Sequence, residues 1–175
     1  MKHFFKLTIL ASVVTALIFG LSAFKSANNA NTDSYLINFI GKSIEGTNET
    51  WTWSLSNPNP GNGINGTLQD VSHWSIQLSP AAEAALVSTE YSFDGVMWYS
   101  ASTSVDRDPT IKACTNSDVL KFDVGTTGGA PTYYRTTFSQ AFGVNPYATS
   151  WIKTGSGKQG CNMYYFAGVG GSTLD

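Results

Sequence analysis

A chain of 175 residues with only 13% charged side chains, against a usual share of about 25%, must cover its surface with Ser, Thr, Asn and Gly. That usage suits turns and exposed strand faces better than long helices. From Asn28 onward seven basic residues stand against twelve acidic ones, a net charge of −5. With no cluster of Lys or Arg to release counterions from phosphates, nucleic acid is excluded as an expected partner, and so is electrostatic attachment of this part to an anionic membrane.

Lys2 and Lys6 precede eighteen uncharged, mostly apolar residues, 7–24, the pattern of an export signal. Residues 1–27 are read as a signal peptide, with cleavage expected between Ala23 and Ala30. The alternative is an uncleaved anchor, because the apolar run lies at the lower edge of the roughly 17–25 residues that span a bilayer. No cysteine lies near the cleavage region, which disfavours a lipid anchor. Residues 28–33 form a short polar leader, and residues 34–175 a single domain of ordinary size.

Residues 34–40, Ser-Tyr-Leu-Ile-Asn-Phe-Ile, are β-branched and aromatic and predict a strand stopped by Gly41. Residues 50–56 alternate strictly, with Trp51, Trp53 and Leu55 on one face, the period of a half-buried strand. Residues 57–66 are nearly all turn formers and predict a loop. Residues 71–78 alternate again, with Trp74, Ile76 and Leu78 on the apolar face; Val71 and Ser72 fall on the wrong faces, which predicts a bulge or the strand's start there. Residues 80–86, Pro-Ala-Ala-Glu-Ala-Ala-Leu, predict one or two turns of helix. Two aromatic-rich runs, 87–92 and 96–102, flank Phe93-Asp94-Gly95, and Asp-Gly there predicts a tight hairpin. A charged loop at 106–110, strands at 119–124, 132–138, 149–153 and 162–169, and a glycine-rich exit at 125–131 complete the chain. Some nine or ten short strands at such intervals predict an all-β fold, an antiparallel β-sandwich of jelly-roll or Ig-like type with one short helix.

Cys114 and Cys161 are the only cysteines. In an exported chain such a pair is expected to be joined; two free core thiols are the alternative. Closing that loop would stabilise the fold by roughly 4 kcal/mol in the loop-entropy account. Beyond the leader the one histidine is His73, and no Gly-x-Ser-x-Gly surrounds any serine, so neither a Ser-His-Asp triad nor a usual zinc set is legible. His73 sits inside a strand pattern, where a packed or hydrogen-bonded ring is the plainer account. Asp106, Asp108 and Asp118 are the acidic group that oxygen-only ligation by calcium would use, although their spacing matches no EF-hand and solvated loop acids explain them more simply. No other cofactor is expected.

A glycosidase would need two carboxylates about 5–9.5 Å apart, and Glu45, Glu49, Glu83, Glu90 and Asp94 are available for one. No catalytic residue is assigned. Residues 92–98 resemble the Asp-box turn of β-propeller glycosidases, one residue short and present once, for which a hairpin with a packed Trp98 is the plain account. Aromatic side chains can stack on sugar rings or on a protein partner, which makes Asp94, Trp98, Tyr133 and Tyr134 the candidate ligand contacts.

Ser72-His73-Trp74-Ser75-Ile76, Tyr91-Ser92-Phe93-Asp94-Gly95, Leu120-Lys121-Phe122-Asp123 and Tyr133-Tyr134-Arg135 together resemble an uncharacterised domain of secreted and cell-surface bacterial proteins, similar to an adhesin-type β-sandwich module, over residues 35–168. Some relatives carry a further cysteine soon after the Ser-His-Trp strand; Pro80-Ala81-Ala82 stands there instead. The resemblance implies a β fold outside the cytoplasm and no catalytic residues. The expected function is a secreted, periplasmic or cell-surface non-catalytic binding module, monomeric, contacting an extracellular glycan or protein through loops at one end. The alternative is a small extracellular polymer hydrolase using a carboxylate pair.

Overall fold

The computed structural model describes residues 34–155 and 161–172; the expected signal peptide and leader lie outside them. Among the described residues ten strands run in the order β1 (Leu36–Glu45), β2 (Asn48–Ser56), β3 (Val71–Ile76), β4 (Leu86–Ser92), β5 (Tyr99–Ser100), β6 (Thr103–Asp106), β7 (Val119–Phe122), β8 (Thr132–Phe138), β9 (Phe142–Thr154) and β10 (Cys161–Ser172), with one helix, α1 (Pro80–Ala84). They form two five-stranded sheets, β1-β2-β8-β4-β5 and β10-β9-β3-β7-β6. Pairing between neighbouring strands is antiparallel throughout. The chain is a β-sandwich, as its alternation predicts.

The two inner faces meet on aromatic rings. Trp53 lies opposite Tyr134 across β2 and β8, and Trp74 lies opposite Phe122 across β3 and β7. Trp74 packs against Trp53, Phe122, Tyr134 and Phe166 with ring centroids 6.0, 5.6, 5.1 and 5.5 Å away. Buried indoles and phenols need partners for their polar atoms. Trp53 Nε1–H donates to Ala167 O at 2.8 Å and the Tyr134 hydroxyl to Val124 O at 2.8 Å. The expected break at the start of β3 is present: its pairing with β9 shifts between Val71 and His73, so that Val71 and Trp74 are both buried.

Several boundaries differ from expectation. β1 does not stop at Gly41 but runs through it with a bulge between Phe39 and Gly41, where glycine takes φ +151° without a Cβ in the way. The predicted strand 96–102 shrinks to β5, after which the chain crosses to the other sheet as β6. β9 begins at Phe142 and tolerates Pro146 because its ladder with β10 is irregular there, shifting between Phe166 and Gly168. α1 starts as predicted, the Ser79 hydroxyl accepting from Ala82 N–H at 3.2 Å.

Two tertiary devices decide which surfaces stay open. At the β1–β2 end, the buried Glu49 carboxylate accepts from Trp51 Nε1–H at 2.7 Å and Phe142 N–H at 2.8 Å, and meets Lys42 Nζ at 2.7 Å. That cluster ties the first sheet to the second. Residues 107–118, between β6 and β7, fold back as a strap over the outer face of the second sheet, where Ile111 packs with Val119, Trp151 and Cys161. The Cys114–Cys161 disulfide pins the strap to β10, with the Cα atoms 6.3 Å apart. Such a bond forms and persists in oxidising compartments, outside the cytoplasm of ordinary cells.

Candidate functional site

The histidine comes first, because it is where acid–base chemistry would have to sit. His73 projects from β3 onto the strap-covered face and is 5% exposed. Its Nε2 stands 2.8 Å from Asp108 Oδ2 and 3.0 Å from Thr110 Oγ1, while the Thr110 hydroxyl donates to Asp108 Oδ1 at 2.6 Å. A carboxylate beside Nε2 favours the tautomer with its proton there, shared between Asp108 and Thr110. Burial lowers the pKa of His73, opposed by Asp108 and assisted by the Lys121 ammonium. Burial pushes Asp108 the other way, but the Thr110 hydroxyl and N–H, then His73 and Lys121, hold its carboxyl below the ordinary range. A neutral ring whose outward nitrogen is occupied, under a disulfide-pinned strap, acts as a clasp between strap and sheet.

The three aspartates considered for calcium do not converge. Asp108 is turned onto His73, Asp106 accepts from Ser104 Oγ at 3.3 Å, and Asp118 stands 3.7 Å from Arg107 Nε. Among the described residues no group of three or more His, Cys, Asp or Glu is placed to hold a metal ion.

The candidate contacts divide into a core residue and a surface group. Tyr134 is a correction: it is fully buried between Trp74 and Phe122, and burial raises its phenol far above the ordinary range. A ring at 0% exposure touches no ligand. The signal that could have separated it from Tyr133 was parity, since Arg135 shares a face with Tyr133 and a guanidinium belongs outside.

On the outer face of the first sheet, Arg135 lies opposite both Thr52 and Glu90. Its Nε and Nη2 donate to the two Glu90 oxygens at 2.6 and 3.0 Å, a bidentate pair that fixes the guanidinium plane. That cation stands 4.1 Å from the Trp98 ring centroid, and the half-buried Tyr133 follows along the same face.

Asp94 builds the turn that brings Trp98 there. Its Oδ1 accepts from Val96 N–H and Met97 N–H, both at 2.8 Å, and from Ser92 Oγ–H at 2.9 Å. The N–H groups of Met97 and Val96, then Ser92, hold its carboxyl below the ordinary range. The carboxylate captures N–H groups that a two-residue turn would have sent into the ladder. The expected tight hairpin therefore opens into a six-residue loop, 93–98, in which Gly95 takes φ +74°. Phe93, Val96 and Met97 project from it at 61%, 78% and 59% exposure, and Tyr99, which opens β5, is 46% exposed.

Strand register puts this hairpin, residues 57–70, the β7–β8 connection and the β9–β10 junction at one end of the sandwich. Ser92 pairs with Tyr133, Leu36 with Ser56, and Cys161 with Lys153, all next to those segments. Of the five carboxylates considered for hydrolysis, Glu49, Glu90 and Asp94 are bound to the donors named above; Glu45 ends β1 and Glu83 lies in α1. The fold and these surfaces define a disulfide-bonded, two-sheet antiparallel β-sandwich. No family model, curated protein or solved structure matches the chain.

Proposed function

We propose that the chain is an exported, non-catalytic binding module of the adhesin type, gripping an extracellular glycan or protein with the end of the sandwich that carries the 93–98 hairpin. The observation that carries this reading is a stapled loop holding three large apolar side chains, Phe93, Val96 and Met97, in solvent beside the Trp98–Arg135–Tyr133 face. Soluble surfaces rarely group such side chains without a contact to make. Binding residues sit disproportionately on loops held by a rigid scaffold. A non-catalytic role is further supported by the engagement of Glu49, Glu90 and Asp94 in structural hydrogen bonds, with Glu90 neutralised by Arg135.

The test is a binding screen of the full chain against immobilised glycans and matrix proteins, with and without chelator, repeated with Trp98→Ala and Val96→Asp. Saturable binding that both substitutions weaken at least tenfold, without a change in melting temperature, is expected. Turnover of a polysaccharide, released as reducing ends, would overturn the reading in favour of a hydrolase.

A further inference from the structure

At the same end, on the side of the edge strands β1 and β10, a cleft of about 450 Å³ opens between the loop 57–70 and the β9–β10 edge. That volume falls within the range of small-molecule pockets, roughly 300–1,000 Å³. One wall comes from Asn62, Thr67 and Gln69, the other from Thr154 and Asn162, and the half-buried Tyr164 lies between them. Every described lining side chain is uncharged. Tyr35 joins this set as a neutral phenol, its pKa pushed up to about 12 by burial and by Tyr164 and Asp70.

The loop wall is built before any ligand arrives. The buried Asn57 carboxamide donates to Leu68 O at 3.0 Å and Gln69 O at 3.3 Å, closing the loop on itself. Gly61 N–H donates to Leu68 O at 2.8 Å, Leu68 N–H to Asn59 O at 2.7 Å, and Thr67 Oγ1–H to Ile64 O at 2.8 Å. A loop already ordered loses little conformational freedom on binding.

Three carboxamides on this frame keep hydrogen-bonding capacity. Asn62 Oδ1 accepts from Ile64 N–H at 3.0 Å, which leaves its Nδ2 without a partner among the described residues. Gln69 Nε2 donates to Asn62 O at 3.3 Å, which leaves its Oε1 in the same position. The exposed Asn162 side chain makes no hydrogen bond to a described residue. Amides supply donors and acceptors side by side. A sugar hydroxyl, both donor and acceptor, is their natural complement, and the Tyr164 ring offers an apolar surface for a pyranose face. Among the described lining residues a phosphate, carboxylate or ammonium ligand would find no counter-charge, which is unfavourable.

We infer that this cleft is a binding site for a neutral saccharide, with Asn62, Gln69 and Asn162 as the hydrogen-bonding residues and Tyr164 as the stacking surface. The assignment rests on the binding-module reading and supplies its ligand class.

The test is NMR titration of the 15N-labelled full chain with cellotetraose, xylotetraose, chitotetraose, maltotetraose and laminaritetraose, with a heparin tetrasaccharide and a neutral octapeptide as controls. At least one neutral oligosaccharide is expected to shift the side-chain amides of Asn62, Gln69 and Asn162 saturably. Asn162→Ala, at an exposed position, should raise its Kd at least tenfold with the melting temperature unchanged, and Asn162→Asp should do the same by introducing a charge. Gln69→Ala provides a second variant from the opposite wall. The assignment is overturned if no neutral oligosaccharide moves the cleft amides, if only the heparin fragment or the peptide does, or if shifts are confined to residues 92–99. In these cases the binding-module reading stands or falls separately, on the screen above. Cleavage of a bound oligosaccharide, seen by chromatography of the titrated sample, would instead sink the non-catalytic reading.

Discussion

Replacing both bridged cysteines, as Cys114→Ser/Cys161→Ser, perturbs the strap and nothing in the aromatic core. The bridge closes a loop with a sequence separation of 47, for which the loop-entropy relation gives about 4 kcal/mol at 25 °C. With unfolding entropy of about 2.1 cal/mol/K per residue, a domain of this size should lose about 10–15 °C in Tm. Scanning calorimetry of the wild type and the double variant measures that loss. Hydrogen exchange reports where it acts: Cys114 and Thr115 N–H both donate to Ile111 O, at 2.8 and 3.1 Å, and Thr110 N–H donates to Asp108 Oδ1 at 2.8 Å. These amides should lose protection before those of β2 and β8. Trp151, 4% exposed beneath the strap, should emit further to the red. A Tm shift below about 2 °C, with strap protection unchanged, would show that Ile111 packing and the His73 clasp hold the strap without the bridge, refuting the entropic account.

Trp74→Ala removes the ring that touches four others in the core. A loss of about 3–5 kcal/mol is expected in urea denaturation, a large part of the whole stability of a typical domain. Glu49→Ala strands two buried donors, Trp51 Nε1–H and Phe142 N–H, and removes the counter-ion of Lys42, whose Nζ keeps its bond to Phe142 O at 2.7 Å. It should cost about 3–5 kcal/mol, and Glu49→Gln less, since an amide oxygen can still accept; equal losses would contradict this. His73 has a folded pKa below its ordinary 6.5, so the unfolded chain binds the extra proton. The His73 contribution is therefore complete above pH 6.5 and is lost as pH falls through the folded value; Asp108, lowered from 3.8, adds a second loss in stronger acid. Urea midpoints measured from about pH 7.5 down to about pH 5 should decline in the wild type and stay nearly level in His73→Gln; parallel slopes would rule out His73 as the titrating group.

The strands most legible in the sequence are those whose outer residues are polar: β2 and β8 alternate between buried and half-buried residues, β3 alternates His73 and Ser75 with Trp74 and Ile76 although the strap buries the polar pair, and the misfit at Val71 and Ser72 is a shift of register. β9 was harder because the strap covers its outer face and the first sheet its inner one. Trp151, Ile152 and Lys153 are consecutive and all buried, Lys153 donating Nζ–H to Thr154 O at 2.7 Å and Gly155 O at 3.2 Å. No period of two survives such packing. Asp108 has the local look of a solvated loop acid, yet its partner His73 lies 35 positions earlier in the chain, beyond the reach of any local pattern. The cleft was illegible for the same reason, its walls coming from residues 62–69 and from Thr154, Asn162 and Tyr164. The 93–98 hairpin was half legible: Asp-Gly marked a turn, but the number of N–H groups the Asp94 carboxylate would capture depends on side-chain geometry.

The closed surfaces sharpen the reading of the open ones. The Glu49 cluster seals the β1–β2 end, and the strap covers the outer face of the second sheet with Ile111 on Trp151 and Asp108 on His73. A domain of this size needs no extra cover for stability when its core already holds Trp51, Trp53 and Trp74 fully buried. Yet at the opposite end Phe93, Val96 and Met97 stay in solvent on a loop that Asp94 and Ser92 hold in place. Leaving apolar side chains in solvent forgoes roughly 25 cal/mol for each Å² that burial would have removed from water, and ordering the loop that displays them costs conformational entropy. A sequence that staples this hairpin and leaves its apolar side chains uncovered has the construction of a contact surface formed in advance of its ligand.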